Sequence, residues 1–409
     1  MAQSVLGSLT LGFRTLWNRA RGLAGVQLFV HDDEAGTDGQ HLMRTIGELW
    51  TAESPTMLLS IRSRPLLASA LVCAKASNPF IEVPLSWLSD RALRAAARIA
   101  HERGARLIAS GAPRQMPDAE AASWFKRRFI ALSAADAVEA LRCSFRTRQP
   151  GAALATFGRV HGSPVAPDTL VDGVASIALA EHALDQQGAW GVADWPAEDL
   201  LHRFRGQPLP PSRRAIVRVM NALDSEQSLE RIEYLFGQEP TLALRLLLYL
   251  NSAGLGLANG IGSLRHGFMM LGFSKLNAWL AEQLPGATDD VNVRPINAQM
   301  VLRGELMEHL MDAGAEDDLR SEVYLCGLFA ELELVQGEPL RTSLARIPLS
   351  DRIVAATVSG TGPYAPALKI ARALERDDPA PLRALRASLE VPAEEINRAL
   401  LRTLRRAAH

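Results

Sequence analysis

Through the first half of the chain, short apolar runs alternate with longer amphipathic stretches. The runs predict strands at Val26–Val30, Met57–Ile61, Phe80–Val83, Arg106–Ala109, Phe129–Leu132, Ala152–Phe157, Thr169–Val171 and Trp190–Val192. Helical spacing falls between them, at Leu88–Arg103, Ala134–Phe145 and Ser176–Gln187. The first of these helices has Ser89 or Asp90 at its start and Gly104 as a stop. Alternation of this kind implies parallel strands joined by crossover helices, and its length suits the small end of a (β/α)8 barrel. The barrel is expected over residues 1–203.

Residues 204–212 read as a linker, because Gly206-Gln-Pro-Leu-Pro-Pro211 can propagate neither a helix nor a sheet interior. Beyond it every periodic stretch is helical: 213–223, 228–236, 241–252, 263–283, 295–313, 318–336, 350–358, 366–376, 380–389 and 393–407. A second, all-α domain is therefore expected over residues 213–409. Its centre is the run Leu242–Leu250, apolar on every side of a helical wheel except at Arg245. Such a helix belongs inside an assembly of helices. Pro240 suits its first turn and Gly254 a stop just past Asn251-Ser252.

Composition narrows the function classes. With 44 Lys and Arg against 45 Asp and Glu, bulk charge attracts neither nucleic acid nor an anionic membrane. The basic cluster Arg398, Arg402, Arg405 and Arg406 follows Glu394-Glu395 and reads as a helix with cations in its last turns. Cys73, Cys143 and Cys326 have no metal-binding or disulfide spacing, which fits a reducing compartment. No apolar run has the length of a signal peptide or a membrane span, so a cytoplasmic protein is expected.

The segment Glu239-Pro-Thr-Leu242, then Arg245-Leu-Leu-Leu-Tyr-Leu-Asn-Ser-Ala253, followed by Ile261-Gly-Ser-Leu264 and Leu271-Gly272, resembles the HDOD domain, a metal-free relative of the HD phosphohydrolases. Tyr324–Ala330, Ile347-Pro-Leu349 and Ala367–Glu375 resemble its later helices. On this resemblance Asn251, Ser252, Ser263 and Gly272 are signature positions with structural roles. A small polar pocket under the glycine-containing loop 254–262 is the functional alternative. Residues 11–200 resemble, more weakly, the EAL domain, the barrel that hydrolyses cyclic di-GMP, in the version fused ahead of an HDOD domain.

The EAL chemistry needs carboxylates at the C-terminal ends of several strands to hold divalent cations that activate water. Carried across the resemblance, the first-strand glutamate is Gln27, the asparagine of the next strand is Ser60, and the paired aspartates are Ser110 and Gly111. A later pair falls on Asp172 and Ala175. Glu82 remains, with Asp172. The resemblance thus implies a barrel without catalytic, metal or cofactor site. Arg62 and Arg64 follow the strand Met57–Ile61 and could approach a phosphate or pair with surface carboxylates.

In the helical half the HD metal ligands are missing. His31-Asp32 is the only His-Asp dipeptide and reads as a polar loop in the wrong domain. Glu308 and His309 point about 100° apart on a helix, and His266 reads as a helix histidine. The expectation is a non-catalytic bacterial signalling protein that recognises unidentified protein partners. Polar loops at Asp32–Gly39 and Pro285–Arg294 are candidate contact points. The alternatives are a nucleotide receptor without turnover, cyclic di-GMP included, and a residual phosphodiesterase using Glu82, Asp172 and Glu308-His309.

Overall fold

Paired edge to edge, the apolar runs of the first half close into a barrel in the order β1 to β8. The strands are β1 (Leu9–Trp17), β2 (Leu23–Asp32), β3 (Met57–Ile61), β4 (Phe80–Pro84), β5 (Leu107–Gly111), β6 (Phe125–Ala131), β7 (Leu170–Asp172) and β8 (Gly191–Ala193). From β2 to β8 neighbours run parallel, while β1 is antiparallel to both β2 and β8. The computed structural model describes residues 4–34, 36–77, 79–147, 162–204, 207–252, 261–311 and 317–407. The strand expected at Ala152–Phe157 lies outside them.

A strict strand–helix repeat is not what forms. Helices α1 (Gly39–Leu49), α2 (Arg64–Cys73), α3 (Arg91–Glu102), α4 (Ala134–Thr147) and α5 (Ile177–Glu181) follow β2, β3, β4, β6 and β7. Between β5 and β6 the chain makes only a 3-10 turn at Ala121–Trp124. β1 and β2 are joined by a tight reversal, which is why β1 must run antiparallel. There the Asn18 side chain accepts from the amides of Ala20 (2.9 Å) and Gly22 (3.1 Å), and Arg21 takes φ 57°. The expected (β/α)8 barrel is thus a mixed eight-stranded barrel.

Leu16, Leu58, Phe80, Ile108, Phe129, Leu170 and Ala193, one from each strand except β2, meet in a single buried cluster. Because side chains alternate across a strand, residues two positions away share the same face. This cluster therefore fixes what stands in the next layer. Stepping two residues towards the C-terminal end gives Ser60, Glu82, Ser110 and Asp172; stepping two back on antiparallel β1 gives Arg14.

The chain divides into two compact units, Met1–Pro196 with Arg372–His409, and Ala197–Ala371. The division departs from the boundaries expected at 203 and 213, because residues 372–409 cluster with the barrel. Helices at the end of the chain supply the reason. Asn397, buried on α19 (Ala393–Arg406), donates to the carbonyls of Leu6 (2.8 Å) and Leu9 (2.9 Å) and accepts from the Leu11 amide (3.3 Å). Ile396, Leu400 and Leu404 are buried with it.

The second unit contains α6 (Ala197–Arg203), α7 (Arg213–Asp224), α8 (Leu229–Gly237), α9 (Pro240–Leu250), α10 (Leu264–Leu271), α11 (Phe273–Gln283), α12 (Arg294–Met311), α13 (Asp317–Phe329), α14 (Leu332–Gln336), α15 (Leu340–Leu344) and α16 (Asp351–Val354). Helix α17 (Ala365–Leu374) runs to its boundary, and α18 (Ala380–Leu389) and α19 follow in the barrel unit. No strand occurs among the described residues of the second unit. The expected helix 263–283 is two helices, since Gly272 takes φ 74°, a backbone state that strains any other residue. The expected linker is also corrected in part. Leu209 is fully buried, with its amide on the Val335 carbonyl (2.9 Å), and the Pro211 carbonyl accepts from Thr288 (2.9 Å). In α9, Leu242, Leu244, Leu246, Leu247 and Leu250 are buried and Arg245 is half-buried. Gly267 lets α10 approach α9, because a Cβ there would collide with Leu250.

Replacing Asn397 by Ala removes the partner of three buried backbone groups, the Leu6 carbonyl before β1 and the Leu9 carbonyl and Leu11 amide within it. At roughly 1–3 kcal/mol for each such group, the full chain should lose at least about 3 kcal/mol in denaturant unfolding. A loss within about 0.5 kcal/mol, typical of a surface substitution, would show that α19 is not what holds this edge.

Candidate functional site

At one end of the barrel the polar layer forms a connected network. Gln27 and Ser60 are fully buried and Glu82 nearly so. The Gln27 amide donates to Ser60 Oγ (2.8 Å) and to Glu82 Oε2 (3.3 Å), and Ser60 Oγ donates to the same carboxylate oxygen by a short bond. Arg14 crosses the layer. Its guanidinium donates to Gln27 Oε1 (2.8 and 3.1 Å) and, in a two-bond fork, to Asp172 (2.8 and 3.1 Å). Arg62, just past β3, stands 3.6 Å from Glu82 and forks onto Asp377 (2.6 and 3.1 Å). Both guanidiniums lie against the Phe29 ring, at 5.5 Å for Arg14 and 5.0 Å for Arg62.

Asp377 belongs to the segment between α17 and α18, which lies in the barrel unit. Burial is the largest influence on its carboxyl and opposes the charge. Contacts from His31 and Arg62 outweigh it and bring the pKa down to about 2. His31 Nε2 is 3.3 Å from Asp377 Oδ1. The expectation of a loop at His31-Asp32 is therefore corrected, because β2 continues through both residues. One step further out, Asp33 accepts from Arg383 (2.8 Å), Arg386 (2.7 Å) and Thr10 (2.7 Å). Gly12 makes room for this segment, since a Cβ there would collide with the Arg376 carbonyl.

Of the six barrel positions singled out in the sequence, Gln27, Ser60, Glu82 and Asp172 are thus joined through hydrogen bonds. Ser110 and Gly111 end β5, half-buried, with Gln115 beside Gly111. Arg64 lies over the Trp87 ring (5.4 Å), away from this network. Sequence reasoning missed Arg14 and Asp377. A lone arginine inside the apolar run Leu9–Trp17 was the available signal for the first; nothing local marks the second, 315 residues from its partner.

In the helical unit, the Asn251 side chain pins the end of α9 to the chain arriving before α10. It donates to the carbonyls of Leu247 and Ile261 and accepts from the Ile261 amide, all at 2.8 Å. Ser252 Oγ donates to Tyr249 O (2.7 Å), and Ser263 caps α10 through the His266 amide (3.3 Å). Of the loop 254–262, only Ile261 and Gly262 are among the described residues. Elsewhere a cavity of about 490 Å³ has Glu230, Glu233, Glu305, Glu308, Arg265 and Arg320 in its wall, with Arg265 paired to Glu230 (2.9 Å). His309 is not in that wall. Among the described residues no three His, Cys, Asp or Glu side chains group closely enough to hold a metal ion, and no helix is long and apolar enough to cross a membrane.

Glu239, which precedes α9, accepts from Asn297 Nδ2 of α12 (2.9 Å). Burial pushes its carboxyl up to about 7, against the opposing influence of Arg218, Asn297 and Arg294.

Residues 208–336 match the HDOD domain family, so an HDOD domain lies within the helical unit. Comparison with curated proteins finds no match. The crystal structure of the response regulator MmoQ from Methylococcus capsulatus strain Bath aligns with 47% of this chain and 98% of its own. The identity is 16% and the TM-score 0.38, a likeness that transfers neither fold nor activity.

Because Glu239 holds a proton in the folded state up to about pH 7 and in the unfolded chain only to its ordinary 4.5, its contribution to stability should be greatest below pH 4.5. It should fall as pH rises from 4.5 to 7, and be flat in this respect above. At about 1.4 kcal/mol per unit, the loss is at most about 3 kcal/mol. Glu239→Gln should raise the melting temperature of the full chain at pH 8 and leave it nearly unchanged at pH 4.5. An equal effect at both pH values would refute the assignment.

Proposed function

We propose that this chain is a non-catalytic cytoplasmic signalling protein in which a degenerate EAL-type barrel and an HDOD domain serve as recognition surfaces for protein partners. Its setting would be a bacterial cyclic di-GMP, motility or stress network. The HDOD domain at 208–336 favours a signalling-associated role. The barrel reading draws support from the way positions carried over from the EAL motif converge: four of them, distant in sequence, share one hydrogen-bonded layer.

The observation that carries the non-catalytic reading is the state of the two remaining carboxylates. Glu82 is engaged by Ser60, Gln27 and the nearby Arg62, and Asp172 by the Arg14 fork. Divalent-cation chemistry needs several hard oxygen donors facing one point. Here Gln27 directs amide protons at Glu82, and two guanidiniums already supply the balancing positive charge. The residues present do not fit a pair of metal ions, and no hydrolytic step is assigned to them.

For partner recognition, the helical unit exposes Met269 (63%), Met270 (53%) and Phe273 (40%) in close succession. Methionine side chains adapt to varied apolar partners, and exposed apolar strips of this type are commoner at interfaces than elsewhere.

Purified protein with excess Mg²⁺ or Mn²⁺ should leave cyclic di-GMP intact over hours, indistinguishable from a Glu82→Ala control by chromatography of the nucleotides. Turnover in the parent that the control loses would overturn the non-catalytic reading.

A further inference from the structure

The groove between α7 and α8 gathers three arginines. Arg214 and Arg218 stand one turn apart on α7, so their Cβ atoms are about 5–6 Å from each other, and Arg231 of α8 faces the same cavity of about 410 Å³. No acidic residue lines this cavity. Two like charges at this spacing repel and destabilise a helix unless something neutralises them. Other arginines of this unit do have carboxylate partners: the adjacent Arg213 pairs with Asp289 (3.0 Å), Arg303 with Glu331 (2.9 Å) and Arg352 with Glu322 (2.7 Å). Among the described residues neither Arg214 nor Arg218 has a carboxylate within ion-pair distance, and Arg231 contacts the Tyr234 ring (5.1 Å).

We propose that this groove binds a small phosphate-bearing ligand, a nucleoside phosphate, with Arg214, Arg218 and Arg231 receiving the phosphate. Guanidinium forks match the oxygens of a phosphate with paired, charge-assisted hydrogen bonds, and three of them suit a dianion better than a single carboxylate. The remaining wall suits the nucleoside. Asn221, Ser225 and Gln227 offer hydroxyl and amide groups for a sugar or base edge, and the apolar side chains of Val217 and Leu235 supply contact area. The volume is that of an ordinary small-ligand pocket. This assignment stands independently of how the barrel is read.

The site also has a route to the core of the HDOD domain. Arg218 is a source of positive charge acting on Glu239, at the start of α9. A phosphate held by Arg218 would cancel part of that influence and favour the protonated form of Glu239, so occupancy and the ionisation of a buried carboxyl are linked.

The test is a calorimetric titration of the full chain with AMP, with adenosine as the uncharged control and inorganic phosphate as competitor. AMP should bind at least about tenfold more tightly than adenosine, since charge-assisted bonds to the phosphate carry the affinity. Affinity should weaken with salt, and phosphate should displace the nucleotide. Arg214→Gln with Arg218→Gln should weaken AMP by about tenfold or more. Both positions are exposed, so the fold should survive, which an unchanged circular dichroism spectrum and a melt that stays cooperative would verify. AMP binding no tighter than adenosine, or equal AMP binding by the double variant, would overturn the proposal.

Discussion

Charge balance inside the barrel end is the constraint from which most of this architecture follows. A barrel must fill its interior with side chains, and polar ones buried there need partners. Once Glu82 and Asp172 stand in that layer, each needs donors or a counter-charge, because an unpaired buried carboxylate is costly. Arg14 and Arg62 provide the counter-charges. Arg62 in turn is shared with Asp377, which draws the segment after α17 onto the barrel, and Gly12 lets its backbone approach. Exposure of Arg14 and Arg62 remains at 20% and 28%, so water reaches only the outer part of the cluster. Its value lies more in fixing which groups face one another than in net stability.

The helical half was the more legible part of the sequence, for a physical reason. Helical periodicity, caps and stops are local: Ser228, Ser263 and Ser350 cap helices through their own hydroxyls, and Gly337 and Gly360 take positive φ just past helix ends. The barrel strands were located to within a few residues where they were apolar throughout. β1 escaped because its polar residues face inwards. Thr10, Gly12 and Arg14 share the face of Leu16, which belongs to the inner cluster. The alternation of Leu9, Leu11 and Phe13 with Thr10, Gly12 and Arg14 is itself a strand period, which a reading based on unbroken apolar runs passes over.

The candidate site was legible only as a set of losses. Gln27, Ser60, Glu82 and Asp172 could be aligned by resemblance, yet what replaces the missing charges could not. The replacement depends on Arg14, 13 residues before Gln27, and on Asp377, 315 residues after Arg62. Long-range ion pairing leaves no imprint on local periodicity. The same holds for Glu239: its pairing with Asn297 joins two helices 58 residues apart.

The bonds from Asn397 to the strand edge at Leu6–Leu11 have a bearing on biosynthesis. Their partners are separated by as many as 391 residues, and the whole helical unit is threaded between them as an insertion into the barrel unit. During translation the inserted unit is complete in sequence before α18 and α19 exist, so it can gain its own contacts first. The barrel must wait with one edge unsatisfied until the ribosome has delivered α19. Contacts of such span slow folding through the entropy of closing the loop. A helical insert that has already folded shortens that loop to the distance between its two ends, so the order of emergence favours completion of the barrel.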